Sequence, residues 1–145
     1  MMKVRLLILL VGVVIGAVGV YLYSDYFLFK VPFDRNADGS TDTQYLYRQS
    51  GVLKELRMDR NHDGEIDYKG NFDQNGLPVK EFSDDDFDGR FDTVMHYRFG
   101  LPGKSSSDFD NDGSDDLRIY YENGVLEKIE LYEDGRLIKS NALDK

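Results

Sequence analysis

A nine-residue stretch constrains this chain more than any other feature, because it is written four times. Asp34-Arg-Asn36-Ala-Asp38-Gly39-Ser-Thr-Asp42 recurs as Asp59-Arg-Asn61-His-Asp63-Gly64-Glu-Ile-Asp67. It returns as Asp84-Asp-Asp86-Phe-Asp88-Gly89-Arg-Phe-Asp92 and as Asp108-Phe-Asp110-Asn-Asp112-Gly113-Ser-Asp-Asp116. The first residues of the copies lie 25, 25 and 24 positions apart. Self-similarity at such a period marks an architecture built by repeating one small unit, so any fold assigned to the chain must place four equivalent loops at regular intervals.

The residue types in that stretch suit a hard dication. Ca²⁺ takes six to eight oxygen ligands from carboxylates, amide carbonyls and main-chain carbonyls. Oxygens at positions 1, 3 and 5 converge on one point if the chain bends sharply after position 5, and glycine at position 6 permits the bend because it adopts positive φ without steric cost. An acidic residue at position 9 closes the site from the other side. Asp-Asn-Gly clusters also make ordinary turns, but four copies with the same five positions filled point to metal. The expected ligands are Asp34, Asn36, Asp38 and Asp42; Asp59, Asn61, Asp63 and Asp67; Asp84, Asp86, Asp88 and Asp92; and Asp108, Asp110, Asp112 and Asp116. Copy one has three acidic ligands and copy three has four, so the third is expected to bind more tightly.

Over its first six positions the stretch resembles an EF-hand loop. An EF-hand also needs a glutamate at position 12 and helices on both sides. Position 12 here is Tyr45, Gly70, Met95 or Ile119, and the flanks read as strands. The stretch is more similar to the calcium loop of FG-GAP and integrin-type β-propeller repeats, in which an aspartate at position 9 replaces that glutamate. The resemblance implies calcium-loop chemistry. It does not carry the propeller fold, which uses about four strands per blade, too many for a repeat of this length.

The net charge of −9 leaves no basic patch to neutralise phosphates and excludes nucleic acid as the natural partner. Seventeen of the 27 acidic residues lie in the four stretches, so without metal these repel one another, and binding and folding are expected to be coupled. The chain has no cysteine, which removes disulfides, zinc thiolate sites and a thiol nucleophile. Tyrosine and phenylalanine, ten and nine residues, make up all of the aromatic content and favour strands.

Lys3 and Arg5 precede Leu6–Tyr23, eighteen residues without a charge. As a helix these reach about 27 Å, enough for a bilayer core. Tyr21, Tyr23 and Tyr26 fall where an interfacial aromatic belt belongs, and the preceding positive charges place the N-terminus in the cytoplasm. The expectation is a membrane anchor over residues 1–30, with membrane contact through residues 6–23, and an extracytoplasmic domain over residues 31–145. The alternative is a signal peptide cleaved near Ala17-Val-Gly19, giving a secreted product. Either way the loops face a compartment in which Ca²⁺ is plentiful.

Val31-Pro-Phe33 reads as a linker. After each loop comes a strand-like run: Tyr45 aligns with Met95 and Ile119, and Tyr47 with Phe72, Tyr97 and Tyr121, two residues apart and therefore on one face. Gly51, Asn75-Gly76, Gly100 and Asn123-Gly124 then turn the chain, and a second run returns to the next loop. Asn71-Phe-Asp-Gln-Asn-Gly76 imitates half a loop but has Val79 at position 9 and reads as a turn. Lys104-Ser-Ser-Ser107 has no apolar residue and reads as a loop in place of a return strand. Tyr121-Glu-Asn-Gly-Val-Leu126 and Tyr132-Glu-Asp-Gly-Arg-Leu137 are similar to the hairpin units of YD and MORN-variant repeat proteins, which implies that the hairpin rhythm continues to the C-terminus. The expected fold is all-β, an antiparallel β-hairpin array (a meander) with calcium loops along one edge, preceded by one transmembrane helix.

No catalytic constellation accompanies these features. His62, at loop position 4, is expected to point to solvent, and His96 to lie on the strand face opposite Met95 and Tyr97. There is no nucleophile elbow, no phosphate loop and no His-x-x-x-His pair, and carboxylates that hold a metal are not free to act as acid and base. The expected function is a calcium-stapled structural or binding module, not an enzyme, with a protein or glycan at the cell surface as partner. The alternatives are a calcium-responsive regulator of a membrane partner and, more remotely, an enzyme acting on an envelope polymer.

Overall fold

A computed structural model of the chain describes residues 28–143. Ten strands form one antiparallel sheet whose spatial order is the order of the sequence. They are β1 (Phe29–Phe33), β2 (Thr43–Tyr47), β3 (Leu53–Met58), β4 (Tyr68–Phe72), β5 (Pro78–Ser83), β6 (Thr93–Arg98), β7 (Leu101–Ser107), β8 (Leu117–Glu122), β9 (Val125–Glu133) and β10 (Arg136–Ala142). The described residues contain no helix, and hence none able to cross a membrane; the expected spanning segment 6–23 lies outside them.

The meander sorts its first eight connections by type, and the short turn between β9 and β10 falls at the loop edge. The nine-residue stretches join β1 to β2, β3 to β4, β5 to β6 and β7 to β8, and all fall at one edge of the sheet. The short turns after β2, β4, β6 and β8 fall at the other. Each of those turns passes through a glycine at positive φ, with Gly51, Gly76, Gly100 and Gly124 between 78° and 81°. Successive turns also touch. The space a Cβ would take at Gly76 is bounded by Val52, at Gly100 by Leu77 and at Gly124 by Leu101, so the apolar residue after each glycine lies over the glycine of the next turn.

Alternation along the strands gives the sheet two unlike faces. Paired neighbours Val31, Tyr45, Leu56 and Gly70 lead across one face to Glu81, Met95, Ser105, Ile119 and Ile129. Tyr45 stacks on Tyr47 there, as their spacing requires. Glu81 lies among the rings and accepts a hydrogen bond from the Tyr97 hydroxyl at 2.7 Å. The other face carries Glu55 with Arg57 and Lys69, Lys128 with Glu130, and His96 between its cross-strand neighbours Lys80 and Lys104. Burial and then the two lysines hold the His96 imidazole below its ordinary value.

No second layer covers either face, and among the described residues Leu46 is the one large apolar side chain that is fully buried. The other well-buried groups are polar: Asp42, Asp59, Asp67, Asp84 and Asp92 at the loop edge, with Thr43, Ser105, Ser107 and Glu130 in the strands. The sheet is therefore held largely by its backbone ladder and by polar contacts between adjacent strands and turns. Arg48 is one of these, donating to the carbonyls of Leu53, Phe72 and Asp73 and so binding the β2–β3 turn to the next one.

Two expectations need correction. Val31–Phe33 is no linker but part of β1, which starts at Phe29 and pairs along its length with β2. Pro32 is tolerated because β1 is an edge strand, where the lost donor is least costly. Lys104–Ser107 is likewise no loop. It is the end of β7, where Ser105 sits between Met95 and Ile119 and the Ser107 hydroxyl meets that of Thr93 at 2.8 Å. In a single-layer sheet a strand between two well-packed neighbours is held by the ladder on both sides and needs no apolar face of its own.

Two measurements probe these contacts. Arg48→Met leaves three carbonyls without their charged donor and should lower the free energy of urea unfolding by about 2 kcal/mol; no change would mean that water replaces the guanidinium freely. The Glu130 carboxyl is held at about 2, below its ordinary 4.5, first by the Lys128 ammonium and then by the Tyr132 hydroxyl. A depressed carboxyl stabilises the fold above its unfolded value and loses that contribution as pH falls through the folded one. Glu130→Gln should therefore melt below wild type at pH 7, and the gap should close as pH falls from 4.5 towards 2.

Candidate metal centre

Each loop bends at two points. The residue at position 4 (Ala37, His62, Phe87 or Asn111) takes φ between 58° and 64°, and the glycine at position 6 takes φ between 89° and 96°. The glycine accepts this at no cost. Alanine, histidine and phenylalanine do so at about 1 kcal/mol or more each, so the loop holds a shape that its local preferences oppose.

Hydrogen bonds to the expected ligands enforce that shape. The position-1 aspartate accepts from the glycine N–H in every loop: Asp34 from Gly39, Asp59 from Gly64, Asp84 from Gly89 and Asp108 from Gly113, all at 2.8–2.9 Å. At position 5, Asp38, Asp63, Asp88 and Asp112 accept from the N–H two residues on. The oxygens of Asn36, Asn61, Asp86 and Asp110 at position 3 each accept from the position-5 N–H. At position 9, Asp42, Asp67, Asp92 and Asp116 reach back to the N–H of position 2. Backbone donors thus hold the side chains at positions 1, 3, 5 and 9 in equivalent places in all four loops.

The loops differ in what remains for a cation. In loop 3, Asp84, Asp86, Asp88 and Asp92 all offer oxygens within 4.8 Å of one another. Asp34, Asp38 and Asp42 do so in loop 1, and Asp108, Asp110 and Asp116 in loop 4. Asp92 is 5% exposed, and its Oδ1 is buried without a hydrogen-bond partner, as is Oδ1 of Asp108. A buried anionic oxygen facing other carboxylates, with no donor, calls for a cation. Loop 1 is better satisfied, because the Asn36 amide donates to Asp38 at 2.8 Å and His62 Nδ1 lies 3.1 Å from Asp42 Oδ1. Loops 3 and 4 carry aspartate where loop 1 carries Asn36, and aspartate has no amide to donate.

Loop 2 is occupied by the protein itself. Its three aspartates match those of loop 1 in type and position, yet they do not share a point within that reach. The Arg60 guanidinium binds Asp67 Oδ1 at 2.6 Å, and its far nitrogen donates to the carbonyls of Asp67 and Asp84. It also lies 3.7 Å from Asp85 and over the Phe87 ring. Arg60 thus supplies loop 2 with a positive charge and fastens it to loop 3.

Titration follows the same division. The N–H of Ser40 and the Asn36 amide hold Asp38 low, and Glu65 N–H with the Asn61 amide does the same for Asp63. Burial pushes Asp42 up, but donors from Arg35, His62 and Asn36 outweigh it and leave it lowered. Asp86 in loop 3 is raised, by desolvation first and then, against the Asp88 N–H, by the charges of Asp88, Asp92 and Asp84.

The loops also form a chain. The position-9 carbonyl of one loop accepts from the position-1 N–H of the next: Asp42 from Asp59 at 2.8 Å, Asp67 from Asp84 at 2.9 Å and Asp92 from Asp108 at 3.0 Å. Asn111 donates to Asp88 across loops 3 and 4 at 3.1 Å. His62 is exposed, as expected, and also lies beside the preceding loop, with Nδ1 3.1 Å from Asp42 Oδ1, towards which the positive φ at position 4 turns its ring. His96 lies opposite Met95 and Tyr97, as the alternation requires. The roles of Arg60 and His62 escaped the sequence reading, which assigned no contact to positions 2 and 4. Among the four position-2 residues, Arg35 and Arg60 are the basic ones.

No family model matches the chain, and no curated protein does. Among solved structures the sheet is similar to part of the crystal structure of accessory secretory protein 1, 2 and 3 in Streptococcus pneumoniae, with a TM-score of 0.49 at 15% identity. That match covers 74% of this chain and 19% of the other, so the chain spans about a fifth of its length.

The arginine in loop 2 makes a direct prediction. Arg60→Met should lower the melting temperature in chelator, because the tie to Asp84 is lost, and raise calcium stoichiometry by one in calorimetry, because Asp67 is released. Unchanged stoichiometry would show that the guanidinium does not block the loop.

Proposed function

We propose that the chain is a membrane-anchored, extracytoplasmic calcium-binding module in which bound Ca²⁺ completes one edge of a single-layer sheet, giving a rigid surface for a protein or glycan partner. The buried, unpartnered Asp92 Oδ1 within the four-carboxylate cluster of loop 3 carries this reading. The donor set is oxygen only, which suits a hard cation and not zinc. Several convergent carboxylates on a bent loop suit the larger, less geometrically demanding Ca²⁺ over Mg²⁺, which keeps most of its waters.

In this reading Asp84, Asp86, Asp88 and Asp92 hold one ion, Asp34, Asp38 and Asp42 a second, and Asp108, Asp110 and Asp116 a third, with loop 2 closed by Arg60. Calcium relieves the mutual repulsion of buried carboxylates that no apolar layer offsets, so its binding free energy becomes folding free energy. The anchor over residues 6–23 keeps the module at the membrane, in a compartment where millimolar calcium fills such sites.

Calorimetry on the purified protein tests this. Three Ca²⁺ per chain are expected, with loop 3 the tightest, and Asp92→Asn should weaken that site at least tenfold while removing part of the thermal stabilisation by calcium. Identical melting curves in calcium and in EDTA would refute the proposal.

A further inference from the structure

The two edges of the sheet differ sharply. The four loops hold seventeen acidic residues against Arg35, Arg60 and Arg90, a formal charge of −14, and the β9–β10 turn adds Asp134 at the same edge. The turn edge is neutral, since Arg48 and Arg98 balance Asp73 and Glu122. Both edges expose apolar side chains (Phe87, Phe91 and Phe109 are 41–52% exposed among the loops), but at the turn edge they are not set in net negative charge. Leu77, Leu101 and Val125 project from successive turns at 42%, 48% and 69% exposure, and the Phe99 ring between them is 85% exposed. Phe99 sits at φ 53°, a conformation that costs a bulky residue energy, and gains no packing inside the sheet in return; the Arg98 guanidinium lies 5.6 Å from its ring centre. An exposed aromatic beside an arginine that reaches past it suits the headgroup region of a bilayer.

Chain length sets where this edge lies. β1 begins at Phe29, whose partner Tyr47 ends β2 at the turn edge. Ser24 to Leu28 separate it from the apolar segment that ends at Tyr23, and five residues reach at most about 18 Å. The chain therefore enters the sheet at the neutral, apolar-tipped edge, while the acidic edge lies about 17–20 Å further along the strands.

We infer that the turn edge is a membrane-docking edge: Phe99, Leu77, Leu101 and Val125 rest in the interfacial layer of the bilayer and the sheet stands on it, with the calcium loops directed away from the lipid. This rests on the anchor reading proposed above. The inverted orientation would press the acidic loops into the interfacial layer, where their charges lose water at a free-energy cost.

The chain contains no tryptophan, so a single one reports its own surroundings. Full-length Phe99→Trp and Phe109→Trp, at opposite edges and both replacing exposed rings, are reconstituted into phosphatidylcholine vesicles in calcium, with and without brominated acyl chains. Val125→Trp serves as a second reporter at the turn edge, and circular dichroism confirms that each variant keeps its sheet. Flotation with the vesicles, blue-shifted emission and at least twofold bromine quenching for Phe99→Trp and Val125→Trp, with little for Phe109→Trp, is the expected result. Flotation with equal or no quenching at the two edges overturns the docking edge and leaves the anchor standing. Failure to float overturns both.

Discussion

The burial of aspartate at positions 1 and 9 of the loops is the constraint on which the structure depends. In most small domains the interior is apolar and its loops are accessory. Here a single sheet has no interior, and the side chains most removed from water include Asp42, Asp67, Asp84 and Asp92. Their negative charge is tolerated because backbone N–H groups from positions 2 to 6 converge on them. It is further offset by Arg60 in loop 2, by the Asn36 amide and His62 in loop 1, and, in the proposed function, by an added ion in loops 1, 3 and 4. Three ways of compensating the same buried anion thus lie side by side on one edge.

That arrangement explains why one motif need not mean one behaviour. Loops 1 and 2 carry the same residues at positions 1, 3, 5, 6 and 9. What separates them is how the position-2 arginine is placed: Arg60 reaches both Asp67 and the next loop. The shared spelling fixes the bend at positions 4 and 6 and the backbone donors common to the loops. Where the position-2 side chain lies decides whether a positive charge already sits on the position-9 carboxylate.

Much of the fold could be read from the residues. Fixed loop spacing, two-residue alternation and glycine turns together specify a meander with loops at one edge, and the strands occur where that rhythm puts them. Each difference has its own physical cause. Ser105 and Ser107 were misjudged because the sequence criterion for a strand is an apolar face, whereas in a single layer the ladder to Met95 and Ile119 suffices. Val31–Phe33 was misjudged because proline reads as a break, although an edge strand tolerates it. His62 is exposed as expected, but its contact with Asp42 follows from a positive φ that a non-glycine residue does not advertise. The packing of Val52, Leu77 and Leu101 on successive turn glycines was present in the sequence as a recurring Gly-Val or Gly-Leu pair, a signal visible once the turns are aligned.

The strict neighbour-to-neighbour order has a mechanical consequence. Because β1 pairs with β2 alone and each later strand joins the next in sequence, no long-range strand pairing locks the array against a pull on its ends. Tension applied where the polypeptide enters β1 falls on that strand's few ladder bonds and can peel it without loading the rest. Extension would then proceed hairpin by hairpin, with the loop-to-loop carbonyl bonds as successive catches, so the body yields gradually in place of rupturing at once.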